Sequence, residues 1–131
     1  MKIAVTADCH LSGREKDSPR LKTLEHLLSA AAERSVTQLI IAGDLFDRES
    51  SNYSLFEHLL GKPQFRNMSV DIIPGNHDPG LENRFFGSER IHVISRPECK
   101  RYDLISLPIL FVPYKEASSA GEHLAPFREE L

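Results

Sequence analysis

Leu39-Ile40-Ile41-Ala42-Gly43-Asp44-Leu45-Phe46-Asp47-Arg48 is an apolar run of four stopped by a glycine and two carboxylates. Such a run, bounded by Gly, reads as a central strand buried on both faces. Polar groups just past its carboxyl end then project into the crevice where open α/β sheets bind ligands. The pattern occurs twice more: Lys2-Ile3-Ala4-Val5-Thr6-Ala7 runs into Asp8-Cys9-His10, and Val70-Asp71-Ile72-Ile73-Pro74 runs into Gly75-Asn76-His77-Asp78. Three strand ends therefore deliver oxygen and imidazole ligands to one edge.

The segments between these strands read as helices. Ser18-Pro19 supplies a capping hydroxyl followed by proline at the first helical position, and Leu21, Leu24, Leu27, Leu28 and Ala31 recur at three-to-four spacing up to Arg34-Ser35. A second helix, capped by Ser51 or Asn52, runs through Tyr53, Leu55, Phe56, Leu59 and Leu60 and stops at Gly61. Two βαβ units follow, and their crossovers require parallel strands with right-handed connections. Beyond Asp78 the pattern weakens to one short helix at most within residues 81–87 and short strands at 91–93, 102–105 and 109–112. These are expected to be antiparallel or mixed edges. Pro126 breaks any helix over 124–131. Without repeats, low-complexity tracts or linkers, residues 1–131 read as a single α/β domain.

The chain has 131 residues, 40% hydrophobic and 27% charged, which describes a globular protein and argues against disorder. The single Lys2 before a strand-length apolar run is neither a secretory signal nor a transit peptide, and no stretch reaches membrane-spanning length. The expected location is cytoplasmic, with Cys9 and Cys99 as reduced thiols. A net charge of −3 argues against a generally basic nucleic-acid-binding surface, although bound cations would neutralise carboxylates at the site.

Asp8-x-His10 places a carboxylate and an imidazole on same-side positions of an extended segment. In isolation each motif reads equally well as a turn: Gly43-Asp44 is a common turn pair, and Gly75-Asn76 another. Their conjunction at three parallel strand ends is what points to a metal site. Two cations about 3.5 to 4 Å apart need a bridging group, and a carboxylate serves best. Asp44 on the central strand is the candidate bridge, with Asp8 and His10 on one ion and Asn76 on the other. Mixed oxygen and nitrogen ligation favours manganese, with iron or zinc as alternatives, over calcium or magnesium.

Asp8-x-His10, Gly43-Asp44-x-x-Asp47 and Gly75-Asn76-His77-Asp78 together resemble the first three signatures of the calcineurin-like metallophosphoesterases. The wording around them, Ala7-Asp8-Cys9-His10-Leu11 and Ala42-Gly43-Asp44-Leu45-Phe46-Asp47-Arg48, is similar to the SbcD-like branch of DNA-repair exonucleases. The resemblance implies a four-layer αββα sandwich with a mostly parallel first sheet. It implies phosphodiester hydrolysis, with DNA as the substrate, by a dinuclear centre and a metal-bound hydroxide. His77 would contact the phosphate and assist the leaving group, and Asp47 would orient its imidazole. Arg48 matches a phosphate-contacting arginine of some family phosphatases, though Glu49 stands where their glycine would be.

The family completes its metal sites with three later histidines, in a Gly-His turn and a Gly-His-x-His turn, and these motifs are missing. His123 follows His77 too soon, His92 sits in an alternating strand, and His26 and His58 lie on helices; all four read as structural or exposed. The expectation is therefore the amino-terminal part of a family domain, truncated at its carboxyl side, lacking most of the second sheet and weakly active or inactive alone. Self-association or a partner covering the missing sheet follows from that. Two alternatives are a non-catalytic phosphoesterase-like scaffold or regulator, and an assembly in which another chain supplies the histidines.

Overall fold

The computed structural model describes residues 2–12, 18–47, 53–103, 105–115 and 119–131. Among these, β1 (Lys2–Thr6), β2 (Val36–Ala42), β3 (Ser69–Ile73) and β4 (Ile91–Val93) form one sheet in that order, with every neighbouring pair parallel. Strands β5 (Glu98–Lys100) and β6 (Ile109–Phe111) form a separate antiparallel pair. Helix α1 (Pro19–Glu33) connects β1 to β2, α2 (Tyr53–Leu60) connects β2 to β3, and α3 (Ala120–Leu124) lies near the end. The Ser18 hydroxyl accepts from the Leu21 N–H at 3.2 Å and caps α1 as expected. At the other helix the Gly61 N–H donates to the Glu57 carbonyl at 2.8 Å. Its candidate caps, Ser51 and Asn52, lie outside the described residues.

Two details differ from the sequence expectation. Residues 91–93 are parallel to β3, not antiparallel, because the intervening connection, with its 3₁₀ turn at Asn83–Phe85, is long enough to return the chain to the opposite end of the sheet. Residues 102–105 do not form a strand where described. The edge partner of β6 is Glu98–Lys100, and the Tyr102 side chain turns inward instead.

Both helices pack on one face of the sheet, where Leu21, Leu24, Leu28, Phe56, Leu59 and Leu60 meet Leu39, Ile41, Val70 and Ile72 in one core. The opposite face carries a smaller cluster, Ile40, Ile94 and Phe111, bordered by Ile3, Ile73 and Ile109, so the β5–β6 pair covers it. The centre of that second face is polar. Asp71, 3% exposed, accepts from Gln38 Nε2 at 3.1 Å, Lys100 Nζ at 2.8 Å and the Tyr102 hydroxyl, and lies 3.2 Å from His92 Nδ1. A buried carboxylate needs such partners, and here they fasten the second layer to the first. Burial, reinforced by the bond to Asp71 and its charge, pushes the Tyr102 hydroxyl pKa upward. Elsewhere Arg90 donates to the carbonyls of Phe65 (2.8 Å), Met68 (3.0 Å) and Leu60 (3.0 Å), tying the end of α2 to the approach to β4.

Candidate metal centre

Beyond β1 and β2 the chains stay side by side. The Asp8 N–H donates to the Gly43 carbonyl (3.1 Å), His10 to Asp44 (2.9 Å), Leu11 to Leu45 (2.8 Å), and Asp47 back to Leu11 (3.1 Å). Between these bonds Asp8 (φ 54°), His10 (φ 45°) and Asp44 (φ 53°) all adopt left-handed backbone, beside Gly43 at 95°. Carboxylate residues tolerate this region better than most, and such conformations gather where the surrounding structure holds them for function. The third strand end is tied in by Asp78, whose carboxylate accepts from the Gly75 N–H at 2.7 Å and the Phe46 N–H at 3.0 Å. Gly75 lies so close to the second loop that a Cβ there would sit 2.1 Å from Asp44 Oδ1.

This backbone brings the side chains together. Asp44, 6% exposed, accepts from the His77 N–H through Oδ1 at 2.9 Å, and its Oδ2 lies 3.9 Å from His10 Nε2. His10 Nε2 is also 3.6 Å from Asp8 Oδ1. Among the described residues, donor atoms of His10, Asp44 and His77 all lie within 4.8 Å of one another. His77 Nδ1 is 3.0 Å from Asp47 Oδ1, which leaves Nε2 to face a ligand, and the rings of His10 and His77 meet edge to face at 4.6 Å. The His10 imidazole and the nearly buried Asp44 carboxylate, with an oxygen turned toward it, are donors that fit a divalent transition metal, and the His77 ring stands beside them. Asn76 is exposed on the same turn and lines a cavity of about 490 Å³ with Tyr114 and Lys115. Arg48 lies outside the described residues.

Arg20 was not legible as functional. Arg20 donates to the His10 carbonyl at 2.8 Å and stands 3.5 Å from Asp47 Oδ2. Its signal was its place in the first turn of α1, since the helix after a parallel strand begins at the edge where ligands bind. Asp78 and Gly75 work through the backbone, as described above. Cys9 lines a cavity of about 430 Å³ beside Asp8, His10 and Arg20. Burial, with the charges of Asp8 and Asp78, pushes its thiol up to about 11.

A parallel sheet whose strand ends gather carboxylate and imidazole donors at one edge defines an α/β protein with a candidate divalent-metal centre. The sequence matches the calcineurin-like phosphoesterase family over residues 1–122, and the chain belongs to that divalent-metal-dependent family. Among solved structures it is similar to a nuclease, MPE, of Pseudomonas putida, at 21% identity and a TM-score of 0.46. That alignment covers 89% of this chain and 56% of the nuclease chain, so this chain spans little more than half the nuclease's length. No curated protein is a match. Among the described residues no helix is long and apolar enough to cross a membrane.

Proposed function

We propose that this chain is the amino-terminal, ligand-bearing part of a metal-dependent phosphodiesterase that acts on nucleic acid, as a DNA exonuclease or endonuclease. The observation that carries this reading is the convergence of His10, Asp44 and His77 within 4.8 Å, with His77 held by Asp47. Asp8, His10, Asp44 and Asn76 would hold a pair of divalent ions, manganese first, with Asp44 shared between them. Bound there, the ions supply charge neutralisation at the phosphoryl oxygens and acidify water. His77, fixed through Nδ1, presents Nε2 to the phosphate and in its protonated form donates to the leaving oxygen. Asp47 sets that ring orientation, and Arg20 holds the His10 main chain and faces the Asp47 carboxylate from the other side.

Calorimetric titration with Mn²⁺, alongside hydrolysis of bis(p-nitrophenyl) phosphate and of labelled DNA, tests the assignment. Asp44→Asn is expected to weaken manganese binding more than any other single change. In the complete enzyme, His77→Ala is expected to leave occupancy largely intact while impairing hydrolysis. Loss of an ion in His77→Ala would move His77 into the ligand set, and unchanged manganese binding in Asp44→Asn would remove the proposed centre altogether.

A further inference from the structure

The Asn76 cavity does not end at the metal centre. It is lined by Asn76, Pro79, Ser95, Tyr114 and Lys115, and a second cavity of about 470 Å³, lined by Arg84 and Arg96 among others, shares Pro79 and Ser95 with it. The two therefore adjoin at Pro79 and Ser95, with Asn76 at one end and Arg84 and Arg96 at the other, and together outline a groove. Each part has the volume of a small-ligand pocket. On a chain of net charge −3, the groove gathers Lys115, Arg96 and Arg84 against one carboxylate, Glu82. Glu82 is already engaged, bonded to Arg84 Nε at 2.6 Å, and Arg84 lies over the Phe85 ring at 5.0 Å. Among the described residues Lys115 and Arg96 have no ion-pair partner and carry the positive charge of the two cavities.

Tyr114 stands at the end nearer the metal centre. It is 47% exposed, yet its main chain is fixed, because its N–H donates to the Pro74 carbonyl at 3.2 Å and Pro113 before it is buried. Pro74 is the residue before Gly75-Asn76-His77, so the Tyr114 main chain is tied to the strand end that leads to the candidate catalytic histidine. A half-exposed aromatic on a fixed main chain, followed by a cation, suits a nucleotide chain: the ring stacks on a base, and the ammonium meets the adjoining phosphate.

We propose that this groove is the track along which single-stranded nucleic acid enters or leaves the metal centre, with Tyr114 as a stacking platform and Lys115 and Arg96 as phosphate contacts. The proposal rests on the nuclease reading above and adds to it the path of the strand. Fluorescence anisotropy with a short fluorescein-labelled oligothymidylate, in EDTA so that metal plays no part, measures binding directly. Tyr114→Ala is expected to weaken binding about 5- to 100-fold while Tyr114→Phe retains it. Lys115→Ala and Arg96→Ala should each cost about 3- to 10-fold and lower the salt dependence by roughly one phosphate contact. None of these should alter manganese binding followed by calorimetry, because none of the three is assigned to an ion. Wild-type chain that fails to bind, or variants that bind as wild type does, would overturn the track while leaving the metal centre standing. The converse result, the expected oligonucleotide-binding pattern in a chain that binds no manganese, would keep the track and remove the metal-centre reading.

Discussion

Gly75→Ala tests how tightly the fold and the candidate centre are joined. The added Cβ would lie 2.1 Å from Asp44 Oδ1, 2.8 Å from its Cγ and 2.5 Å from its main-chain nitrogen. Rotating the carboxylate relieves only the first two contacts; the third requires the main chain of one loop to retreat. Overpacking of this kind costs about 1 to 3 kcal/mol. Displacing Asp44 also breaks the 2.9 Å bond from the His77 N–H, a charge-assisted interaction contributing about 1.5 to 3 kcal/mol. The expected loss is about 3 to 5 kcal/mol, a large part of the roughly 5 to 15 kcal/mol that holds a domain folded. Urea unfolding reads the stability, and manganese titration under folding conditions reads the centre. Gly80→Ala is the control, because nothing lies within 4 Å of a Cβ there, and it should change stability by no more than about 1 kcal/mol. A Gly75→Ala chain as stable as wild type and binding manganese as well would refute the close approach of the two loops.

Arg90→Ala leaves three carbonyls without their common donor and should lower stability by about 2 to 4 kcal/mol in the same unfolding assay, with Arg90→Lys between it and wild type; no change would deny Arg90 its fastening role. The Tyr102 pKa is raised in the folded chain, so its contribution to stability is complete below about pH 10 and is lost as pH rises beyond that. The thermal midpoint of wild type should therefore fall between pH 9 and about 11 more steeply than that of Tyr102→Phe, and parallel curves would contradict it. Val5, 66% exposed on edge strand β1, leaves an apolar residue beside an open strand edge, so sedimentation should show concentration-dependent association that Val5→Lys suppresses; a monomer at every concentration would count against it.

Much of the fold was legible because two periodicities are strong. The apolar run ending at Gly43 and the three-to-four spacing from Leu21 to Ala31 each leave one solution, and both were found where expected. Strand β4 was misread in direction because three residues carry no orientation of their own; the length of the preceding connection decides it. The polar centre of the second face was hidden for a different reason. Asp71 is visible within an apolar strand, but its partners Gln38, Lys100 and Tyr102 lie about thirty residues away in the chain, and only the folded sheet brings them together. At the candidate centre, the motif residues announced themselves by chemistry at strand ends. Arg20 did not, since an arginine in the first turn of a helix looks like any solvated cation until the helix start is placed against His10.

The three left-handed residues at the centre raise the question of what holds them. Such backbone costs roughly 1 to 2 kcal/mol for an ordinary residue, and Asp8, His10 and Asp44 all adopt it within two adjoining loops. The four main-chain bonds linking those loops return about 1 kcal/mol each, so strain and bonding come close to cancelling. The remainder falls to apolar side chains interleaved with the ligands: Leu11, Leu45 and Phe46 are all buried in the main core, at about 2 kcal/mol apiece. Each of these two loops is thus anchored by a buried apolar neighbour of its candidate site residues. Leu11 follows His10, Leu45 follows Asp44 and Phe46 precedes Asp47. The placing of His10, Asp44 and Asp47 therefore rests on hydrophobic burial one residue away from each, and truncating Leu45 should disturb the candidate centre as well as the core.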